Sequence, residues 1–167
     1  MKAIVLFDTL FGNTERIASR LAAGLQATGI VAEDANIKGL EIERLVEYDL
    51  IALGAPTQYL TASKPMKDFL ERLKAVNLRG KSAFAFDTRY GYPLSGSAAK
   101  FIEKKLKHLG LEIIRPRSSA TVVQQKTAVK VGDSILKEGT EAAFEVVGKE
   151  LGELLCERAR KAGNVVA

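Results

Sequence analysis

The sequence predicts a doubly wound α/β domain, a parallel sheet with helices on both faces. Two patterns carry that expectation. Four short, near-continuous apolar runs occur at Ala3–Phe7, Leu50–Gly54, Ala83–Phe86 and Ala120–Val123. They lack the alternation of a half-wet strand, so they read as strands buried on both faces. Between them lie stripes with helical spacing, and strands that alternate with helices imply parallel crossovers.

Each element has its own signals. The strand at Ala3–Phe7 precedes a helix whose apolar face is Ile17, Ala18, Leu21, Ala22 and Leu25, with Gly29 as a stop. Ile30–Asn36 is a more polar strand and is placed at an edge. A short helix is expected around Glu41–Val46. Met66, Phe69, Leu70 and Leu73 form the next stripe, opened by Ser63 with Pro65 in the first turn. Ala98, Phe101, Ile102, Lys105, Leu106 and Leu109 form another, ended by Gly110. Ala143, Phe144, Val147, Leu151, Leu154 and Leu155 form the last, opened by Thr140. Residues 124–138 are the least regular stretch.

The 167 residues fit one domain, 1–167. A single cysteine, Cys156, excludes an intrachain disulfide and suits a reducing compartment. The apolar run at the N-terminus is too short for a membrane span or a signal-peptide core. A cytoplasmic protein is therefore expected. The formal net charge is +5, read either as a solvated basic surface or as a docking surface for an acidic partner.

Ligands of an open parallel sheet bind beyond the carboxyl ends of the strands, where strand order reverses. Three loops leave those ends. The first, Asp8-Thr9-Leu10-Phe11-Gly12-Asn13-Thr14-Glu15, runs into a helix start. Free N–H groups and the helix dipole there favour an anion. It holds neither a Gly-Lys-Ser/Thr element nor a G-x-G-x-x-G fingerprint, which excludes a triphosphatase loop and a dinucleotide site of that type. The second is Gly54-Ala55-Pro56-Thr57-Gln58-Tyr59-Leu60-Thr61 and the third Asp87-Thr88-Arg89-Tyr90-Gly91-Tyr92-Pro93. Three of the four tyrosines fall in these two loops, suited to stacking on a flat ring. A capped, ligand-free turn and tyrosines packing loop against loop are the structural alternatives.

At these loops the chain resembles the flavodoxins, especially the flavodoxin modules of flavodiiron proteins. Thr9-x-x-Gly12-Asn13-Thr14-Glu15 is similar to the family's phosphate loop, and Gly54-x-Pro56-Thr57 to its flavin-side loop. Ile102–Leu109 with Gly110, Glu112 and Ile113 resembles the family's fourth helix and the strand after it. The resemblance implies a flavodoxin-like, five-stranded parallel sheet of order 2-1-3-4-5 and FMN as cofactor. It implies that Thr9, Leu10, Phe11, Gly12, Asn13 and Thr14 hold the phosphate. Pro56 and Thr57 would lie along the ribityl chain and ring. Gln58 and Tyr59, with Tyr90 or Tyr92, would lie beside the isoalloxazine. Backbone donors from Thr88, Arg89, Tyr90 and Gly91 would meet its pyrimidine edge. The chain departs from the family's pattern at Leu10 and Phe11, where hydroxyl residues are usual. It lacks a glycine among Gln58, Tyr59 and Leu60, and it is basic.

No residue set has metal-ligand spacing, and no catalytic residue is assigned. The one histidine, His108, is expected at a helix end, where the dipole suits an imidazole. Cys156 is read as a structural thiol. Lys100, Lys104 and Lys107 share a helix face, solvated or a docking patch. Basic stretches without interleaved aromatics argue against nucleic acid. An electron carrier that docks to redox proteins with acidic surfaces is expected. The alternative is an FMN-dependent NAD(P)H:quinone or small-acceptor oxidoreductase.

Overall fold

The computed structural model describes residues 1–124 and 134–165. Its parallel core is built from β1 (Lys2–Phe7), β2 (Val31–Asn36), β3 (Leu50–Gln58), β5 (Ser82–Tyr90) and β7 (Ser118–Gln124). Their spatial order is β2-β1-β3-β5-β7, which is the expected 2-1-3-4-5. The registers are parallel, as in Ala3↔Leu50 and Leu50↔Ser82. Three short strands add to this core. β4 (Thr61–Ala62) folds back antiparallel on β3. β6 (Glu112–Ile113) pairs with the start of β5, and β8 (Ser134–Leu136) extends the edge antiparallel to β7. β8 carries no sequence signal, because three residues are too few to show a period.

The helices are α1 (Asn13–Gln26), α2 (Lys64–Arg72), α3 (Ala98–His108) and α4 (Thr140–Val165). A 3₁₀ turn at Ile42–Glu47 stands where the short helix was expected. β3 and β5 run four residues past the expected Gly54 and Phe86. Their polar ends were read as loop because apolar runs mark only the doubly covered part of a strand. α4 continues past Leu155 to Val165, and over residues 157–163 it is largely exposed, with no buried stripe to signal it.

Alternation along the strands sorts the core into two layers. Ile4, Leu6, Ile51, Leu53, Ala83 and Ala85 face α2 and α3. Ala3, Val5, Phe7, Leu50, Ala52, Phe84 and Phe86 face α1 and α4. α1 and α4 meet backbone to backbone: a Cβ on Gly24 would stand 2.8 Å from Gly148 Cα. Among the described residues no helix is long and apolar enough to cross a membrane. His108 ends α3 as expected, its Nδ1 2.7 Å from the Lys104 carbonyl. Cys156 is half-buried against the α1–α4 layer.

Candidate cofactor site

The carboxyl ends of β1, β3 and β5 and the start of α1 frame one cleft of about 150 Å³. Thr9, Leu10, Phe11, Asn13, Thr14, Pro56, Thr57, Gln58, Thr88, Arg89 and Tyr90 line it, joined by Val122 and Ser134. Eleven of the fifteen residues singled out in the sequence thus converge on one place. Val122 and Ser134 were missed: Val122 lies in the strand read at Ala120–Val123, outside the three loops, and Ser134 in β8, which is too short to show a period.

The first loop turns into α1 through Gly12, whose φ of 83° is left-handed. An L side chain there would be strained by its backbone, with nothing among the described residues within 4 Å of an added Cβ. Thr9 Oγ1 accepts the Gly12 N–H at 3.0 Å and so fixes the turn. Among the described residues no side chain caps α1, and the first-turn N–H groups of Asn13, Thr14 and Glu15 lie outside the helical ladder. That is the donor set a terminal phosphate needs.

Several side chains expected to reach the phosphate or ribityl chain are already engaged. Asn13 Nδ2 donates to the Ser134 carbonyl at 2.9 Å and stands 3.1 Å from its Oγ. Thr14 Oγ1 and Thr88 Oγ1 are buried and lie 3.0 Å apart. Thr57 Oγ1 accepts the Ala98 N–H at 2.9 Å and donates to Asp87 at 3.2 Å. The first-turn backbone N–H groups are therefore free donors of the first loop, joined by the Thr9 hydroxyl, whose oxygen only accepts, and by the one hydroxyl hydrogen that the Thr14–Thr88 pair leaves over.

The aromatic residues divide. Tyr90 is half-buried and lines the cleft, and Tyr92 stacks on it with ring centroids 5.8 Å apart and planes 15° apart. Tyr92 and Gly91 line a neighbouring hollow instead. Tyr59 is 99% exposed at the tip of the β3–β4 hairpin. Pairing of β5 with β7 continues to Tyr90↔Val122, whereas pairing with β3 stops at Pro56↔Thr88. Arg89 and Tyr90 are therefore unladdered on the β3 side.

Two buried carboxylates lie under the cleft on the α2–α3 side. Asp8 Oδ2 accepts the hydroxyl of Ser63, the N-cap residue of α2, at 2.6 Å. The carboxylate is thereby tied to α2 and not to the phosphate loop. Asp87 Oδ2 accepts from Ser97 Oγ at 2.7 Å and from the Ala99 N–H at 2.9 Å. Asp87 was read only as the start of a loop; its burial follows from the extra length of β5.

The residues present suit a phosphate-bearing flavin: an uncapped helix start for the phosphate, a glycine that lets the chain turn tightly, and an aromatic wall at Tyr90. The flavodoxin family profile matches residues 5–146, and the chain belongs to the flavodoxin family. FMN is the family's cofactor. The flavo-diiron protein FprA2 of Clostridium acetobutylicum is 30% identical over 146 residues, covering 80% of this chain and 35% of that protein. A flavodoxin of Clostridium saccharobutylicum is 33% identical over 89 residues, covering 53% of this chain and 56% of that protein. This chain thus spans no more than 56% of either of these relatives. An archaeal flavodoxin structure superposes with a TM-score of 0.76 at 23% identity, covering 93% of this chain and 99% of that one.

Proposed function

We propose that residues 1–167 form one flavodoxin-like domain that carries electrons through FMN between redox proteins in the cytoplasm. The observation behind this reading is the mouth of the cleft. Leu10, Phe11, Tyr59, Leu60, Tyr92 and Leu94 are exposed on the three loops around it. An apolar rim of that kind suits transient contact with another protein's surface. FMN supplies reversible uptake and release of electrons when bound. The chain's part is to hold the phosphate at the α1 start and to pack the ring against Tyr90.

The formal charge supports a preference for acidic partners. A bound phosphate brings roughly two negative charges, so the holoprotein stays cationic. Cationic carriers meet acidic partners faster at low salt. A quinone reductase is the second reading, favoured by a NAD(P)H dehydrogenase (quinone) of Cupriavidus metallidurans. That protein is 28% identical over 138 residues, covering 68% of this chain and 69% of itself.

Stopped-flow reduction of the FMN-loaded protein by candidate reductases, from low to high ionic strength, tests the carrier reading. Rates should fall as salt rises. Rates that climb with salt refute acidic docking, and steady NAD(P)H oxidation by this chain alone with a quinone favours the enzyme.

A further inference from the structure

We propose that the groove between α2 and α3 docks an acidic polypeptide segment of a partner, one that carries an apolar side chain among its carboxylates. The inference names the partner surface for the electron-transfer reading and borrows its purpose from that reading. Binding itself does not depend on the flavin.

Charge is the first argument. From Lys64 to Lys74 and from Ala98 to His108 the chain carries eight Lys and Arg against three Asp and Glu. That excess equals the formal +5 of the whole chain, so the remaining 17 cations and 17 carboxylates cancel. Both segments pack on the same face of the sheet. Their acidic residues are engaged in ion pairs: Asp68 with Lys64, Glu71 with Lys74 and Lys105, and Glu103 with Lys107. Lys67, Lys100 and Lys104 have no carboxylate partner among the described residues.

Shape is the second. Leu70, Lys74, Phe101, Lys104, Lys105, His108 and Leu109 line a hollow of about 680 Å³ between the helices, room for several side chains. Its apolar wall is Leu70, Phe101 and Leu109, and ammonium groups stand around it. Lys67 and Lys105 Nζ lie 5.5 and 5.6 Å from the Phe101 ring centroid. A helix or strand with a protruding apolar residue can reach that wall while its carboxylates meet the lysines. A flat headgroup plane cannot follow it into the recess. Two ammoniums over the Phe101 ring leave it poorly placed to stack on a base.

Position is the third. The first residues of α3 are bonded to the cofactor loops: Ala98 N–H to Thr57, Ser97 Oγ to Asp87, and Ser97 N–H to the Leu60 carbonyl. Phe101 follows one helical turn later. A partner seated in the groove is thus held beside the cleft mouth by a rigid element.

The test is a titration of ¹⁵N-labelled, FMN-loaded protein with a random glutamate–tyrosine copolymer and with polyglutamate. Amide shifts should cluster on α2 and α3, and the copolymer should bind several-fold tighter than polyglutamate. Lys104→Glu combined with Lys74→Glu should weaken copolymer binding at least tenfold, and Phe101→Ala should abolish the preference for it. Lys161→Glu, a charge reversal on α4, should have little effect. Shifts spread over the molecule, or equal loss per charge reversal in Lys161→Glu, would overturn the proposal. So would tighter binding to phosphatidylserine vesicles than to the copolymer. FMN content and electron transfer are measured on the same sample. A chain that binds the copolymer in the groove but transfers no electrons refutes the carrier reading alone. A competent carrier that ignores the copolymer refutes the groove alone.

Discussion

Ser97 Oγ donates to Asp87 Oδ2 at 2.7 Å, and the same hydroxyl accepts the Lys100 N–H at 3.1 Å. One serine therefore caps α3 and ties the helix to the end of β5. Asp8 holds the start of α2 in a related way, accepting the hydroxyl of its N-cap residue Ser63, although that side chain does not itself cap the helix. Since β1 and β5 both neighbour β3, the two helices of this layer hang from paired carboxylates on either side of the strand that carries the second loop.

Asp87→Ala should be the most damaging single change at the site. Asp87 is fully buried, and its loss strands the Ser97 and Thr57 hydroxyls and the Ala99 N–H. Unpaired buried polar groups cost about 1–3 kcal/mol each, with larger totals where a buried charge network breaks. Urea unfolding should show a loss of at least about 2 kcal/mol. Ser97→Ala, which keeps Ala99 bonded, should lose about 1 kcal/mol. Equal losses in the two variants would contradict the hub role of Asp87.

At the phosphate loop, Gly12→Ala should cost about 1–2 kcal/mol from left-handed strain alone, because space for the methyl is open. FMN affinity should fall along with it, since the turn sets the direction of the α1 N–H groups. Thr14→Val removes the hydroxyl that meets Thr88 and should weaken FMN by about tenfold, a loss worth about 1.4 kcal/mol. Isothermal titration with FMN and riboflavin separates the effects. If riboflavin binds as tightly as FMN, the phosphate role of this loop is wrong.

Most of this architecture was legible in the sequence because the central strands are covered on both faces. Ala3–Phe7 and Leu50–Gly54 have almost no polar atom to disguise them. The place of the first loop was legible for a different reason: it leaves a buried strand and opens an amphipathic helix. What was hidden depends on contacts across long separations. Asn13 is held by Ser134, 121 residues away, and Thr57 is spent on Ala98. Residue type alone could not show that these polar groups are engaged inside the protein. Nor could it show which tyrosine faces the cleft, because the stacking of Tyr90 on Tyr92 is decided by the backbone of the third loop.

The α1–α4 contact predicts opposite signs for two glycine substitutions. A Cβ on Gly148 would fall 2.3 Å from the Leu21 carbonyl oxygen and 2.9 Å from Gly24 Cα. The helices must separate to admit it, so Gly148→Ala should destabilise by about 1–3 kcal/mol. Gly163 is exposed within α4 and meets nothing within 4 Å. Gly163→Ala should be neutral or stabilising, up to about 1 kcal/mol. Thermal melts of the two variants decide it.

Two titrations shape the pH limits of stability. Burial, together with the hydrogen bond to Glu33, pushes Tyr48 up to about 12. A raised folded value means stability that is full below pH 10 and declines as pH rises toward 12. Tyr48→Phe should flatten that alkaline limb. For Glu103, burial acts upward, but bonds from Lys107 and from the Arg117 N–H prevail and hold it below the usual carboxylate range. A lowered folded value means stability present above about pH 4.5 and lost as pH falls. Glu103→Gln should reduce the acid sensitivity of the midpoint in urea.

The hairpin tip carries the last prediction. Gln58 pairs with Thr61, so Tyr59 and Leu60 are the two central residues of a two-residue turn. Both have positive φ, 47° and 70°, as a type I′ turn requires, where Asn-Gly is the usual pair. Bulky side chains there cost about 1–2 kcal/mol each. The conformation persists because the third loop braces it: Ser97 N–H donates to the Leu60 carbonyl at 3.2 Å. The Gly96 backbone also lies so close that an added Cβ would stand 2.3 Å from Leu60 Cα. Leu60→Gly should therefore raise the stability of the FMN-free protein by about 1 kcal/mol. Gly96→Ala should lower it and loosen the tip. Strain kept at a cofactor mouth is expected to serve the site. Leu60→Gly should accordingly lose affinity for FMN, or transfer electrons more slowly, even as its melting midpoint rises. A variant that gains stability with unchanged FMN binding and electron transfer would show that the strained tip does nothing for the cofactor.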